Sequence, residues 1–419
     1  MKKIIFDLDG TLYQTKATIL NAVNESLKEF NLPLINESIL CSLIGKTTDD
    51  FLREIINENI DFDSFKKVLR KNEHRLVKET AVLFPDIVKL LEELSSRGYK
   101  LNICSNGSEE YINLVLETTS INKYFTNIYS SKNFINKSEC IKQIIDTSDF
   151  NAVVGDTMID IEAATNNNIV SIGAAYGYGD INDISKATFI AENPLEIADK
   201  IIQAELFYTL ENELIKKNKS KIIGINGVDT SGKTTFTNYF SKYLSHVGIK
   251  NTVVHIDDFH NPSSIRSQGD NPIDAYYNNA FNYNQLINEL LEPLKTYQSI
   301  NKTICCLNLD TDKYENYINY NIDSDTVVLI EGVLLFRSPL NDYLDDKIFI
   351  NIDFDEVLNR ALIRDVPKYG LQFLDKYKNK YIPIQKKYIA EWEPFKNSSI
   401  VIDNNNYNRP VLTKCEKGL

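Results

Sequence analysis

The stretch Lys2-Lys3-Ile4-Ile5-Phe6-Asp7-Leu8-Asp9-Gly10-Thr11-Leu12 decides the fold of the amino-terminal half. Ile4 to Phe6 is a short apolar run that reads as a buried strand ending at Asp7. Open α/β sheets carry their ligands beyond the carboxyl ends of the strands, so both carboxylates are expected at a strand tip. Two residues apart on a strand that runs into a tight turn, Asp7 and Asp9 can face one pocket, and Gly10 permits the turn. From about Tyr13 to Val82 the pattern is helical, with amphipathic runs Ile19 to Phe30 and Phe51 to Ile56 and no β-rich segment. This predicts an inserted helical cap over about 14–82. Beyond it, Phe84-Pro85 precedes a helical run from Ile87 to Leu94, and Lys100 to Cys104 is a second strand ending in Ser105-Asn106-Gly107. A further strand, Ala152 to Val154, runs into Gly155-Asp156-Thr157-Met158-Ile159-Asp160.

A second decisive stretch is Gly227-Val228-Asp229-Thr230-Ser231-Gly232-Lys233-Thr234. The strand Lys221 to Ile225 precedes it and a helix from Thr234 to Leu244 follows, which is the setting that the G-x-x-x-x-G-K-[ST] phosphate-binding loop requires. Amide N–H groups from Val228 to Thr234 would cradle phosphates, Lys233 would reach the β and γ phosphates, and the Thr234 hydroxyl would ligate Mg²⁺. Gly227, Asp229, Thr230, Ser231, Gly232, Lys233, Thr234 and Thr235 are therefore the expected nucleotide contacts, with ATP as phosphoryl donor. The motif by itself shows only a nucleoside triphosphate site. Thr252 to Ile256, Thr326 to Ile330 and Lys347 to Ile352 read as further buried strands, and Asp257-Asp258 stand at the end of the first, where an acceptor hydroxyl could be held in line. The helical stretch from about Pro194 leads into Lys216-Lys217-Asn218-Lys219, which has boundary composition. Three segments are expected: a domain over 1–206, a linker over 207–218 and a domain over 219–419, both domains α/β with mainly parallel sheets.

The chain has 419 residues, 43% apolar and 25% charged, the composition of a soluble globular protein with two or three domains. A net charge of −12 argues against nucleic-acid binding by bulk charge and favours small phosphorylated ligands. Only three apolar residues precede Asp7, far fewer than a signal peptide needs, and no later run approaches membrane-spanning length, so a cytoplasmic protein is expected. The six cysteines form no CxxC pair and have no histidine at ligand spacing, which predicts reduced thiols rather than a zinc site or disulfide framework.

The ordered set FDLDGTLY (Phe6 to Tyr13), Ser105, a lysine near Lys137 and GDTMID (Gly155 to Asp160) resembles the haloacid-dehalogenase superfamily of phosphatases over residues 1–206. Its cap resembles that of the small-helical-cap branch, which contains phosphoglycolate-type phosphatases and hexose-phosphate mutases. The resemblance implies a Rossmann-like core in which Asp7 is the nucleophile and Asp9 the general acid and base. It also implies Mg²⁺ held by Asp7, the Asp9 backbone carbonyl and Asp156, with Asp160 as an outer or alternative ligand. Ser105 would bind phosphoryl oxygens and Lys137 would neutralise charge, with Lys132 and Lys142 as neighbouring candidates. In the cap, Lys46 of Gly45-Lys46-Thr47-Thr48 is a candidate substrate contact or a surface lysine.

Residues 219–413 resemble the bacterial uridine kinase-like family. The resemblance rests on the phosphate-binding loop, VHIDDFHNP (Val254 to Pro262), Tyr276-Tyr277 with Phe281-Asn282-Tyr283, VVLIEG (Val327 to Gly332), RALIRD (Arg360 to Asp365), YIPIQKKY (Tyr381 to Tyr388) and IVIDN (Ile400 to Asn404). It implies a P-loop nucleoside-kinase-type sheet with flanking helices. Asp257 would be the base for an acceptor hydroxyl, with Asp258 beside it, and Glu331 a carboxylate near Mg²⁺. Arg360 and Arg364, one helical turn apart, would face the transferring phosphoryl group. His260 stands where relatives often carry Tyr, and the aromatic stretch Tyr276 to Tyr283 is either core or a base-stacking wall. Lys376, Lys378, Lys380, Lys386 and Lys387 read as a solvated helix face more readily than as a phosphate groove. The expected whole is a bifunctional, Mg²⁺-dependent phosphomonoester hydrolase joined to an ATP-dependent kinase for a nucleoside or similar small hydroxyl compound. The alternatives are a nucleic-acid end-processing kinase-phosphatase and a phosphatase gated by ATP binding.

Overall fold

The computed structural model describes residues 2–41, 43, 48–56 and 60–415. Lys46 lies outside them. The chain divides into two compact units, Met1–Glu205 and Leu206–Leu419.

In the first unit, six parallel strands form one sheet: β1 (Lys3–Phe6), β2 (Lys100–Cys104), β3 (Phe125–Tyr129), β4 (Asn151–Gly155), β5 (Val170–Ala174) and β6 (Phe189–Ala191), in the order β3-β2-β1-β4-β5-β6. β1 is central, with Phe6 level with Ile103 of β2 and Val154 of β4. The loops bearing Asp7, Ser105 and Asp156 therefore leave from three adjacent strand ends. Between β1 and β2 stand the cap helices α1 (Thr15–Glu29), α2 (Glu37–Cys41), α3 (Thr48–Ile55) and α4 (Phe62–Thr80), followed by α5 (Ile87–Ser96). Asp61 caps α4 by accepting from the Ser64 amide at 3.0 Å. The cap has its own core, in which Ala22, Val23 and Leu27 of α1 pack with Phe65, Leu69 and Leu76 of α4. Further helices are α6 (Glu109–Thr118), α7 (Lys137–Ile144) and α8 (Met158–Thr165).

The second unit is built on a six-stranded sheet in the order β14-β13-β12-β7-β11-β8. Its strands are β7 (Ile222–Gly227), β8 (Asn251–His255), β11 (Val327–Gly332), β12 (Asp346–Asn351), β13 (Ile400–Asp403) and β14 (Val411–Cys415). All pairs are parallel except β13 with β14, so the sheet is mixed at one edge. β9 (Ile300–Asn308) and β10 (Lys313–Ile322) form a separate antiparallel hairpin. The helix α9 (Lys233–His246) opens directly from the loop after β7, and α10 (Phe354–Arg364) follows β12.

The segment expected as a linker over 207–218 is helical up to Lys217. Phe207 is fully buried and packs edge-on against Phe236 and obliquely against Phe240 of α9. Buried Glu211 accepts a hydrogen bond from the Tyr243 hydroxyl at 2.7 Å. The lysine and asparagine content of Lys216 to Lys219 concealed the apolar face of the preceding turns. The cysteines whose side chains are described are free thiols. No described helix is long and apolar enough to cross a membrane.

Candidate active sites

In the first unit, Asp7 and Asp9 leave the tip of β1 on opposite errands. The Asp7 carboxylate accepts from Lys137 Nζ at 2.5 Å, and the same ammonium group reaches Asp160 at 2.6 Å. All three are buried. Lys137 is the first residue of α7, whose start is fixed by the Asn136 side chain accepting from the Glu139 amide. Asp160 is held in turn by the Thr157 hydroxyl at 2.7 Å, in the capping box that starts α8. Lys132 pairs with Glu110 instead, so the structure brings Lys137, not Lys132, to Asp7 and Asp160.

Asp156 is fully buried beside them, accepting from Thr11 Oγ1 at 3.2 Å and from the Tyr178 amide at 2.8 Å. Gly10 and Gly177 make room for it. A Cβ on Gly10, whose φ is +85°, would fall 2.2 Å from the Asp156 carboxylate, and one on Gly177 would fall 2.3 Å from its Cβ. Carboxylate oxygens of Asp7, Asp156 and Asp160 lie within 4.8 Å of one another. Of the three carboxylates only Asp7 and Asp160 reach the one ammonium group, so the cluster has a deficit of positive charge. That deficit and the hard-oxygen donor set suit a divalent cation such as Mg²⁺.

The electrostatics carry the same signature. Burial, then Asp160, pushes the Asp156 carboxyl up to about 7. Burial also raises Asp7 well above the usual carboxylate range, against the pull of Lys137. For Lys137, burial favours the neutral form, but Asp160 and Asp7 outweigh it and keep the amine protonated well beyond its ordinary range.

Asp9 turns the other way. Its carboxylate accepts from the Tyr111 hydroxyl at 2.6 Å, and that phenol lies 3.0 Å from the Thr15 hydroxyl. Burial raises the Asp9 carboxyl. Ser105 is buried at the end of β2, where its hydroxyl accepts from the Gly107 amide at 3.1 Å. Asp7, Asp9, Ser105 and Lys137 all line one cavity of about 120 Å³, to which Glu73 and Leu69 of the cap also contribute. Tyr111, Thr15 and Glu73 were not singled out from the sequence, because each sits on an amphipathic helix where the residue alone reads as core or surface. The paired glycines of Gly177-Tyr178-Gly179 were the available signal for the loop over Asp156.

In the second unit, Gly232 takes a φ of +84° at the start of α9, and Thr230 takes +58°. The first turn of α9 leaves its amides without intrahelical partners and aims them at the loop. Asn404 donates to the Ser231 carbonyl at 2.7 Å, and Arg360 donates to the carbonyls of Thr230 and Ser231 at 3.3 Å. Arg360 also bonds the Asn404 carbonyl and pairs with Glu356. Arg364 does not share that target: it pairs with Asp365 at 2.9 Å and bonds the Tyr377 hydroxyl. The two arginines expected at one phosphoryl group therefore stand on different partners, since one turn of α10 separates a loop-facing from a helix-facing position.

Glu331 and His255 are level across β11 and β8, and the His255 ring nitrogen lies 2.7 Å from Glu331 Oε1. Thr234 donates to the same oxygen at 3.1 Å. Glu331 Oε2 is buried and has no hydrogen-bond partner among the described residues, an orphan acceptor that suits a cation beside Thr234. Asp257 lies 3.6 Å from His260 Nε2. Burial works to raise the Asp257 carboxyl, but His260 and Lys233 hold it below the usual range. In Asp229, by contrast, burial prevails over Lys233 and the carboxyl is raised, with Gln385 donating to it at 3.3 Å. Asp258 stands beside His255, and burial raises its carboxyl.

The aromatic stretch divides. Tyr277 and Tyr283 flank the buried Arg337, which bonds the Tyr277 carbonyl and the Tyr283 hydroxyl. These are core. Tyr276 instead faces Lys380 at 4.7 Å and Tyr381, while His260 lies on Phe281. Of the lysines, Lys386 covers Phe354 and Lys387 pairs with Asp274, whereas Lys376 and Lys380 both stand over the packed Tyr276–Tyr381 pair.

Residues 4–174 match the family model described as haloacid dehalogenase-like hydrolase, and residues 222–405 match that of the phosphoribulokinase/uridine kinase family. The amino-terminal half is haloacid dehalogenase-like, and the carboxy-terminal half is uridine kinase-like. A phosphoglycolate phosphatase from Vibrio parahaemolyticus is 25% identical over 217 residues, 48% of this chain and 93% of the relative. One from Aquifex aeolicus is 29% identical over 191 residues, 43% of this chain and 88% of the relative. The solved structure of a possible uridine kinase from Bacillus stearothermophilus aligns with a TM-score of 0.38 and 24% identity, over 48% of this chain and 97% of that one. The chain joins a phosphatase domain to a kinase domain, and both are phosphoryl-transfer enzymes.

Proposed function

We propose that the amino-terminal site hydrolyses a phosphate monoester through an aspartyl-phosphate on Asp7, and that the carboxy-terminal site transfers the γ phosphate of ATP to a small hydroxyl compound such as a nucleoside. The observation that carries the first part is the buried set Asp7, Asp156 and Asp160, with Lys137 bridging Asp7 to Asp160 and Asp7 lining a cavity. Asp7 attacks phosphorus as the ester P–O bond breaks, and Asp9 gives its proton to the departing alcohol oxygen. Burial suits Asp9 to that part, since it raises the fraction holding a proton near neutrality. Asp9 then takes a proton from water, the water oxygen attacks the acyl-phosphate phosphorus, and inorganic phosphate leaves as the Asp7 carboxylate is restored. Tyr111 orients Asp9 throughout. Lys137 stays protonated and offsets charge on the phosphoryl oxygens, and Ser105 with the following amides positions them. Mg²⁺ held by Asp7, Asp156 and the Asp9 carbonyl would supply charge neutralisation between nucleophile and phosphoryl group.

For the kinase site, Lys233 and the loop amides hold the phosphates, and Asp257 takes the proton of the acceptor hydroxyl. Thr234 and Glu331 are the residues that would hold Mg²⁺ with ATP. Use of ATP as donor implies a cytoplasmic setting. The test is a substrate panel on the full chain with Mg²⁺: p-nitrophenyl phosphate for the first site, and acceptor-dependent ADP release with nucleosides and polyols for the second. Hydrolysis unaffected by Asp7→Asn, or ADP release that no acceptor stimulates, would refute the respective half.

A further inference from the structure

The cap contributes one face of α4 to the cavity above Asp7: Lys66, Leu69, Arg70 and Glu73 stand at i, i+3, i+4 and i+7. Three of these side chains carry charge, but they are differently engaged. Lys66 is drawn to Asp49 at 2.5 Å, and Arg70 is exposed at the outer part of the helix face. Glu73 is half-buried, lies in the field of Asp9 and of the Tyr111 phenol, and has no hydrogen-bond partner among the described residues. The cavity is also lined by the apolar side chains of Ile19, Val23 and Phe51. A carboxyl in that position is available to a ligand, and the cavity it lines is where the alcohol of a phosphate ester must lie if its phosphorus is at Asp7.

We propose that Glu73 reads the leaving group of the phosphatase substrate, and that this group is an uncharged alcohol bearing a further hydroxyl near the ester oxygen, not a carboxylate-bearing one. This rests on the phosphatase reading above. A hydroxyl both donates and accepts, and so does a carboxyl that holds its proton. Burial, then the charge of Asp9, pushes Glu73 up to about 8, so it keeps a proton near neutrality. A leaving group with its own carboxylate could only accept from Glu73, leaving the second carboxyl oxygen without a donor. Of the cations lining the cavity, Lys66 is drawn to Asp49 and Lys137 is shared by Asp7 and Asp160, which leaves only the exposed Arg70. The apolar wall suits the carbon skeleton of a small polyol.

The experiment compares kcat/KM of the full chain for glycerol phosphate, a hexose phosphate, phosphoglycolate and p-nitrophenyl phosphate, in the parent and in Glu73→Ala, Glu73→Gln and Arg70→Ala. Hydroxyl-bearing esters should exceed phosphoglycolate by roughly tenfold or more. Glu73→Ala should cost these esters at least about tenfold more than it costs p-nitrophenyl phosphate, chiefly in KM, and Glu73→Gln should recover most of the difference because its amide still hydrogen-bonds. A preference for phosphoglycolate, equal losses on all esters, or a larger effect of Arg70→Ala than of Glu73→Ala on the preferred ester would overturn the assignment of Glu73. Failure of the parent to hydrolyse p-nitrophenyl phosphate is a different result, which would remove the phosphatase reading and this proposal with it.

Discussion

Asp156→Asn should abolish hydrolysis while making the metal-free protein more stable above neutral pH. In the structure one Asp156 oxygen accepts from the Tyr178 amide and the other from the Thr11 hydroxyl. An asparagine can keep its carbonyl on Tyr178 and turn its NH₂ toward Thr11, whose hydroxyl can accept, so the substitution fits without steric change. What it removes is a buried charge. The Asp156 carboxyl sits at about 7 in the fold against 3.8 for an unperturbed aspartate, a difference of about 3 pH units. At about 1.4 kcal/mol per unit this is an order-of-magnitude cost of about 4 kcal/mol once the group ionises, and neighbouring groups that relax reduce it to some ~2–4 kcal/mol. The sign follows from proton binding. Between about pH 4 and 7 the folded state holds a proton that the unfolded chain has lost, so stability falls as pH rises through this window. Asparagine removes that slope. For a unit of this size the gain at pH 8 in EDTA corresponds to roughly 5–15 °C in the melting transition, and to much less at pH 5. Calorimetry of the full chain at both pH values, with and without Mg²⁺, measures it. Added Mg²⁺ should raise the parent transition at pH 8 and leave the variant nearly unmoved. A variant that melts at or below the parent at pH 8 in EDTA, or that Mg²⁺ stabilises as much as the parent, would refute the assignment of Asp156 as an uncompensated cation ligand.

Asp7→Asn is expected to lower p-nitrophenyl phosphate hydrolysis by ~10⁴-fold or more while acceptor-dependent ADP release persists, because an amide cannot form the acyl-phosphate. Arg360→Ala should raise KM for ATP roughly tenfold by releasing the carbonyls of Thr230 and Ser231, whereas Asp257→Asn should depress kcat with ATP affinity nearly unchanged, as titration with a non-hydrolysable ATP analogue would report. A fragment starting at residue 206 should fold, and one starting at 219 should be destabilised by roughly 5 kcal/mol in a urea titration, since it lacks buried Phe207, Leu210 and Leu214. Equal urea midpoints for the two fragments would show that this helix adds nothing to the unit.

What could be read from the sequence was whatever local chemistry dictates. The apolar runs at Ile4, Leu101 and Val153 each end in a polar cluster, and they became the three adjacent strands whose tips carry Asp7, Ser105 and Asp156. The glycines of the phosphate-binding loop were equally legible, because Gly232 needs a backbone conformation that side chains disfavour. The β9–β10 hairpin, the edge strands β3 and β6 and the interior strand β5 were not: β3 and β10 are largely exposed with little apolar periodicity, β6 is three residues long, and Ser171 and Gly173 interrupt the apolar run of the buried β5. The same limit hid the outer residues of both sites. Spacing puts Arg360 and Arg364 on one side of a helix, but it cannot say that Thr230 and Ser231 offer carbonyls at one height and Asp365 with Tyr377 a carboxylate and phenol at the next. Spacing likewise marks Glu73 as one more polar residue on α4. Only the approach of that helix to Asp9 turns it into a group with chemical consequence. In both halves, then, the residues that handle phosphate follow from strand ends and glycines along the chain. Those proposed to choose what the phosphate is attached to, Glu73 in one and the surroundings of Asp257 and Tyr276 in the other, depend on contacts between segments far apart in sequence.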